Sequence, residues 1–121
     1  MGTNYYAIKK ADDETKAKIK LAIDRDDYIT ARDSIPELIH IGKSSGGWNF
    51  LFNNQNWRYF LGNRKSLNEF LSDCKIYDEY EHELSINEFW VMVDRKSSYK
   101  QEIEYGFIVD GLNFSNYTEF S

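Results

Sequence analysis

The sequence predicts an α+β fold: a single domain over residues 1–121 on a mainly antiparallel sheet, with one longer N-terminal helix and two short capped helices. Three observations predict it. Short apolar or alternating runs, bounded by Gly, Asn and Asp, occur at both ends of the chain, as strands require. Between them lie two Ser-x-x-Glu patterns and one stretch of 3–4 apolar spacing, which are helix signals. Strands and helices do not follow the regular βαβ alternation of a parallel sheet.

Taken in order, Asn4 to Lys9 reads as the first strand, with Tyr5, Tyr6 and Ile8 as packing residues. Asp12 or Asp13 caps a helix whose first turn holds Glu14, where the helix dipole favours an acid. Ile19, Ala22, Ile23 and Tyr28 or Ile29 give its inner face. It ends near Ser34, because Pro36 disfavours helical geometry at Ile35. A hairpin follows, from Leu38–Ile41 through Gly42–Gly47 to Trp48–Phe52. Asn53 to Asn56 is a polar connector, Trp57–Leu61 an aromatic-rich segment, and Gly62-Asn63 a turn. Helices start near Leu67 and Ile86, each behind a capping box, Ser66 with Glu69 and Ser85 with Glu88. Lys75–Tyr80 is extended between them. Ile103–Phe114 alternates around Asp110-Gly111, a type I′ hairpin signal.

Apolar residues make up 41% and aromatics 17% of 121 residues, enough for one packed core. The net charge of −5 is concentrated: Ser66 to Trp90 holds seven acids and one base, Lys75. Such a segment argues against direct binding of a nucleic-acid backbone and suits a solvated face or a basic partner surface. Cys74 is the only cysteine, so neither an internal disulfide nor a thiolate metal cluster is expected, and a cytoplasmic setting fits. No run approaches a membrane span and no signal peptide opens the chain.

His40-Ile41-Gly42-Lys43-Ser44-Ser45-Gly46-Gly47-Trp48 is the densest functional signal. Glycines bare the backbone amides, Lys43 supplies a cation, and Ser44 and Ser45 supply hydroxyls, a set able to hold phosphate or carboxylate at a strand end. It is not a P-loop: Glu37 stands where the first glycine belongs, and a strand pattern follows where a helix should. The same residues also make ordinary hairpin-turn chemistry. Tyr5 and Tyr6, with Trp48, add aromatic faces for stacking on a base, which suits a small nucleotide.

The opening Met1-Gly2-Thr3-Asn4-Tyr5-Tyr6, the His40–Trp48 segment, Ile76–Tyr80 and the closing Glu119-Phe120-Ser121 together resemble a group of small, uncharacterised phage and prophage proteins. The resemblance implies a phage setting and no particular activity. Many members of that group carry a Cys-x-x-Cys between the first strand and the His-Ile-Gly-Lys segment. Here that interval holds a charged helix without cysteine, so a metal knuckle is not carried over.

A catalytic role would need a nucleophile near His40. Ser44, four residues on, points to the same side of a regular strand about 13 Å away. Asp78, Glu79, Glu81, His82 and Glu83 match no metal-ligand spacing. No cofactor is expected. The leading expectation is a counter-defence protein that sequesters a small phosphate-bearing molecule, such as a nucleotide immune signal, through Tyr5, Tyr6, His40, Gly42, Lys43, Ser44, Ser45, Gly46, Gly47 and Trp48. The phosphate site is then expected to lie away from the acidic segment. One alternative is a protein-directed inhibitor acting through Asp78, Glu79, Glu81 and Glu83 on a basic surface of a host defence complex. The other is a small hydrolase. A homo-oligomer is compatible with each.

Overall fold

The computed structural model describes residues 2–45, 49–53, 63–96, 106–109 and 111–115. Met1, Gly46, Gly47, Trp48, the segments 54–62 and 97–105, Asp110 and residues 116–121 lie outside them, so the expectations placed on those positions do too. The described residues form one mixed sheet with two of the helices packed on one side of it. In chain order they are β1 (Gly2–Lys9), α1 (Asp13–Asp24), α2 (Tyr28–Ser34), β2 (Leu38–Ser45), β3 (Leu51–Phe52), α3 (Arg64–Ser72), β4 (Cys74–Asp78), β5 (Glu83–Leu84), α4 (Ile86–Lys96), β6 (Gly106–Val109) and β7 (Leu112–Ser115). The sheet order is β5-β4-β1-β2-β3-β7-β6. Every pairing is antiparallel except β3 with β7. The α+β class with a mainly antiparallel sheet is therefore as expected. No described helix is long and apolar enough to cross a membrane.

Three details correct the sequence reading. The N-terminal helix is two helices, broken where Asp26 turns left-handed at φ 57°. The break is chemical: Asp27 caps a new start by accepting from the Thr30 amide at 3.2 Å. Asp12 caps α1 in the same way, accepting from Thr15 at 2.7 Å. Second, α3 begins at Arg64, because Asn63 takes the cap and accepts from the Ser66 amide at 2.7 Å. Ser66 thus lies inside the first turn. The Ser85 box forms reciprocally, with Ser85 N–H donating to Glu88 Oε1 at 2.9 Å and Glu88 N–H donating to Ser85 Oγ at 3.1 Å. Third, β2 does not stop at Gly42 but runs to Ser45.

The core lies between the sheet and α3 with α4. Ala7, Ile39, Ile41, Phe50, Phe52, Ile76, Leu112 and Phe114 meet Leu67, Leu71, Phe89, Trp90 and Val93 there. Phe50, Phe52 and Phe89 pack edge to face, with centroids 4.8 and 5.5 Å apart for the pairs involving Phe50. Arg64 joins the two helices: it forks onto Asp94 at 2.7 and 2.8 Å and lies 4.2 Å from the Trp90 ring centroid. Trp90 Nε1 donates to Asn68 at 2.7 Å. A small void between β3, β7 and α4 measures about 10 Å³, room for one water at most.

Candidate functional site

The site is built by an irregularity in β2. Residues directly opposite in an antiparallel ladder share a face. Ala7 stands opposite Ile39 and Tyr6 opposite His40, but Tyr5 stands opposite Gly42. Ile41 is the extra residue, a β-bulge. In a regular strand His40 and Lys43, three apart, would point to opposite faces. The bulge corrects the parity, so both stand on the face away from α3 and α4. Ser44, expected on the same side as His40 though distant from it, is sent to the other side.

Ladder partners order this open face into rows. One row is Glu83, Tyr77, Tyr6, His40 across β5, β4, β1 and β2. The next is Asn4, Lys43, Leu51, Asn113, Ile108 across β1, β2, β3, β7 and β6. Along these rows Asn4, Tyr6, His40, Lys43, Leu51 and Tyr77 are half-buried, Asn113 is buried and Ile108 is exposed. Tyr6 and His40 stack, with centroids 4.9 Å apart and planes within 27°. His40 Nε2 lies 3.0 Å from Asn4 Oδ1, which links the two rows.

Asn53 fixes the bulge from the side. It is buried, its Nδ2 donates to the His40 carbonyl at 3.0 Å, and its main-chain N–H donates to the Ile41 carbonyl at 2.9 Å. The expectation of a polar connector starting at Asn53 is thus replaced by a structural role. A bulge spoils the ladder locally and leaves carbonyls to be satisfied, which a buried carboxamide can do.

Gly42 has a steric role. A Cβ there would lie 2.5 Å from the Leu51 carbonyl oxygen and 2.5 and 2.8 Å from the Phe50 ring. Its lack of a side chain lets the Phe50 ring lie against β2 on the core side. Tyr5, opposite Gly42, also faces the core, against Phe50 at 5.7 Å and Phe89 at 6.3 Å. Burial, with the neighbouring Asp78 carboxylate, pushes its phenol above the usual range. Tyr5 is therefore removed from the site while Tyr6, one residue on, stays in it. Ser45 closes β2, where its carbonyl accepts from Lys96 Nζ at 3.0 Å.

Burial holds the His40 imidazole below its usual proton affinity. The Gly42 backbone hydrogen bond opposes this and the Lys43 cation adds to it. Cys74 is a core residue of β4, and burial pushes its thiol up from the usual range. Among the described residues no group of three or more His, Cys, Asp or Glu is placed to hold a metal.

The acidic segment does not lie away from this face. Glu79 Oε1 accepts from the main-chain N–H of Asn4 at 2.9 Å, and Asn4 is the ladder partner of Lys43. Central strand β1 brings the two together, having β2 on one side and β4 on the other. Asp78 is tied into the turn: its Oδ1 accepts from the amides of Tyr80 at 2.8 Å and His82 at 3.0 Å, and its Oδ2 faces His82 Nδ1 at 3.3 Å. Burial would raise its carboxyl, but these amides and the His82 ring outweigh it and hold it low. Glu81 completes the turn at φ 67°. Glu83 meets Lys75 at 3.5 Å.

Sequence reasoning missed Asn4, Asn53 and Tyr77. Asn4 had a signal, since it stands inside the Met1–Tyr6 opening pattern. Tyr77 reaches the face only through its pairing with Tyr6. No protein-family model, no curated protein and no solved structure matches the chain.

Proposed function

We propose that this protein is a non-enzymatic binder of a small phosphate-bearing molecule of the nucleotide class, taken on the open face of the sheet. The observation that carries this reading is the bulge at Ile41, which sets Lys43 on the same face as the Tyr6–His40 ring pair. The two rows lie two residues apart on β1, about 7 Å by strand rise. A base beside the rings and a phosphate at Lys43 span a distance of that order. Stacking supplies the apolar contact, and the ammonium supplies the charge-assisted hydrogen bond. Ser44 on the opposite face from His40, and a core-buried Cys74, favour binding over nucleophilic catalysis.

The phage-like sequence pattern supports a counter-defence setting, in which holding a nucleotide signal suffices without turnover. The test is calorimetric titration with a panel of nucleoside mono-, di- and cyclic phosphates. Saturable binding that weakens by about tenfold or more in Lys43→Ala is expected, the worth of one charged hydrogen bond. Equal affinity in wild type and variant would falsify the reading.

One observation favours a second reading. The Asp78-held turn presents Tyr80, 66% exposed, among Glu79, Glu81 and Glu83. A tyrosine flanked by carboxylates on a fixed turn suits a basic protein surface. Under this reading the molecule inhibits a host defence complex by direct contact.

A further inference from the structure

We propose that His40 and Asn4 form a proton-controlled gate on the anion site at Lys43: protonation of the imidazole turns the Asn4 amide so that its NH₂ group, across the ladder from Lys43, meets the ligand's phosphate. The inference rests on the nucleotide-binding reading and names the regulation of that same site.

A carboxamide has two unlike ends, and whichever end faces His40 Nε2 leaves the other pointing away. With Oδ1 toward Nε2 at 3.0 Å, the ring nitrogen carries a hydrogen and the Asn4 amide hydrogens are turned outward. If Nε2 loses its hydrogen, the stable arrangement reverses. Asn4 Nδ2 then donates to the ring, and the carbonyl oxygen turns outward. The Gly42 backbone also hydrogen-bonds the ring and favours its charged form, as an accepting carbonyl does. A ring facing two acceptors is fully satisfied only as imidazolium.

The two states differ in what an anion meets. In the protonated state it meets the Lys43 ammonium, outward amide hydrogens and an imidazolium close behind. In the neutral state it meets the same ammonium beside an outward carbonyl oxygen, which repels it. Burial against Tyr6 and the Lys43 cation both resist protonation of the empty site. A bound phosphate offsets the Lys43 charge and adds its own, so anion and proton favour each other's binding.

Among the described residues, the other charged groups near the ring are engaged elsewhere. Glu79 accepts from the Asn4 main chain, Glu83 faces Lys75, and Asp78 stands on the opposite face, bound to the β4–β5 turn. Leu51 and Asn53, from the β3 side, bring no charge. The second histidine, His82, faces Asp78 in the same turn.

The probe must not itself titrate, so a dinucleoside monophosphate is used, whose phosphodiester keeps one charge between about pH 5 and pH 8. Histidine ring signals are followed by NMR over that range, with and without saturating probe, beside calorimetry. Expected are an upward shift of the His40 midpoint on adding probe and affinity about tenfold higher at the acid end. Asn4→Ala, which removes both the donating amide hydrogens and the repelling carbonyl oxygen, is expected to bind more weakly than wild type at the acid end and more tightly at the alkaline end, so that most of the pH dependence is lost. Probe binding that depends on Lys43 but leaves the His40 midpoint unmoved overturns the gate alone. An Asn4→Ala protein with the full wild-type pH dependence overturns the amide's part in it. Absence of saturable binding at every pH overturns both the gate and the nucleotide reading.

Discussion

The buried amide of Asn53 donates to the main-chain carbonyl of His40 at 3.0 Å, so a residue outside the open face sets the geometry of that face. Asn53→Ala leaves the His40 carbonyl at a bulge without this donor. The expected cost is about 1–3 kcal/mol, the range for orphaning a buried polar group. It should appear as a lower denaturant midpoint with an unchanged slope. Asn53→Asp, which keeps the shape and loses the donor, is expected to be no better. A midpoint equal to wild type for both variants would remove Asn53 from its supporting role.

Gly42→Ala tests the steric reading of a residue that the sequence presents as part of a phosphate loop. The added carbon would meet Leu51 backbone and the Phe50 ring at 2.5 Å. Overpacking of that kind costs about 1–3 kcal/mol. Thermal unfolding should show the loss. Near-UV circular dichroism should show a disturbed aromatic core, since Phe50 packs on both Phe52 and Phe89. A stable variant that merely fails to bind nucleotide would restore Gly42 to the site.

The two Ser-x-x-Glu segments should behave differently. Ser85→Ala breaks a formed box and should cost about 0.5–2 kcal/mol. At the other helix the same size of loss should follow Asn63→Ala, because Asn63 holds the cap there. Ser66→Ala should change the midpoint little. The reverse ranking of Asn63 and Ser66 would place the start of α3 wrongly.

Stability should fall toward acid in two steps. Asp12, Asp27, Glu88 and Asp94 are held low by hydrogen bonds from Thr15, Thr30, Ser85 and Arg64. A lowered folded pKa contributes stability above the unfolded value, lost as pH falls through the folded one, so this step lies below about pH 4. His40 is lowered mainly by burial. In the apo protein the unfolded chain therefore takes up its proton first, and stability falls as pH drops below about 6.5. Chemical denaturation at stepped pH should resolve both. His40→Gln should abolish the upper step and keep the lower one.

Reversing Glu79, Glu81 and Glu83 to lysine, with Asp78 left in place to keep the turn, separates the two functional readings. Under the nucleotide reading, Lys43-dependent binding survives and tightens at low salt, because carboxylates beside the face are replaced by cations. Under the protein-directed reading, counter-defence in a plaque assay on defence-positive hosts is lost, as attraction becomes repulsion. Loss of protection with folding and nucleotide binding intact decides for the protein partner.

Much of the fold is legible in the chain because its signals are local. Asp12 before Thr15, Ser85 before Glu88 and Pro36 after Ser34 each act within one turn of backbone, and each helix boundary they imply is observed to within a residue or two. Where two local signals compete, the reading misses: Asp26 and Asp27 break a helix that the apolar spacing alone continues, and Asn63 outcompetes Ser66 for one cap. The site is less legible because its key element is a register shift. Side-chain parity decides which residues share a face, and a single extra residue inverts it. Nothing local to Ile41 marks it as that residue. The partners that do, Tyr5, Tyr6 and Asn53, lie far along the chain. For the same reason Tyr5 and Tyr6 appear equivalent in sequence and are separated only by pairing.

The parallel pairing of β3 with β7 has a consequence for how the chain assembles during synthesis. β3 is two residues long, and its outer edge is covered, among the described residues, by Leu112–Ser115. Phe52 and Phe114 stand side by side in that pairing and in the core, with rings 5.3 Å apart. Until the ribosome has released β7, a nascent chain that has already joined β1 to β2 and β4 must wait with the β3 edge unpaired and Phe52 partly uncovered. Such an edge invites pairing with another nascent chain, and a pairing so distant in sequence closes late. The yield of native molecules is therefore expected to respond to translation speed over the last third of the chain.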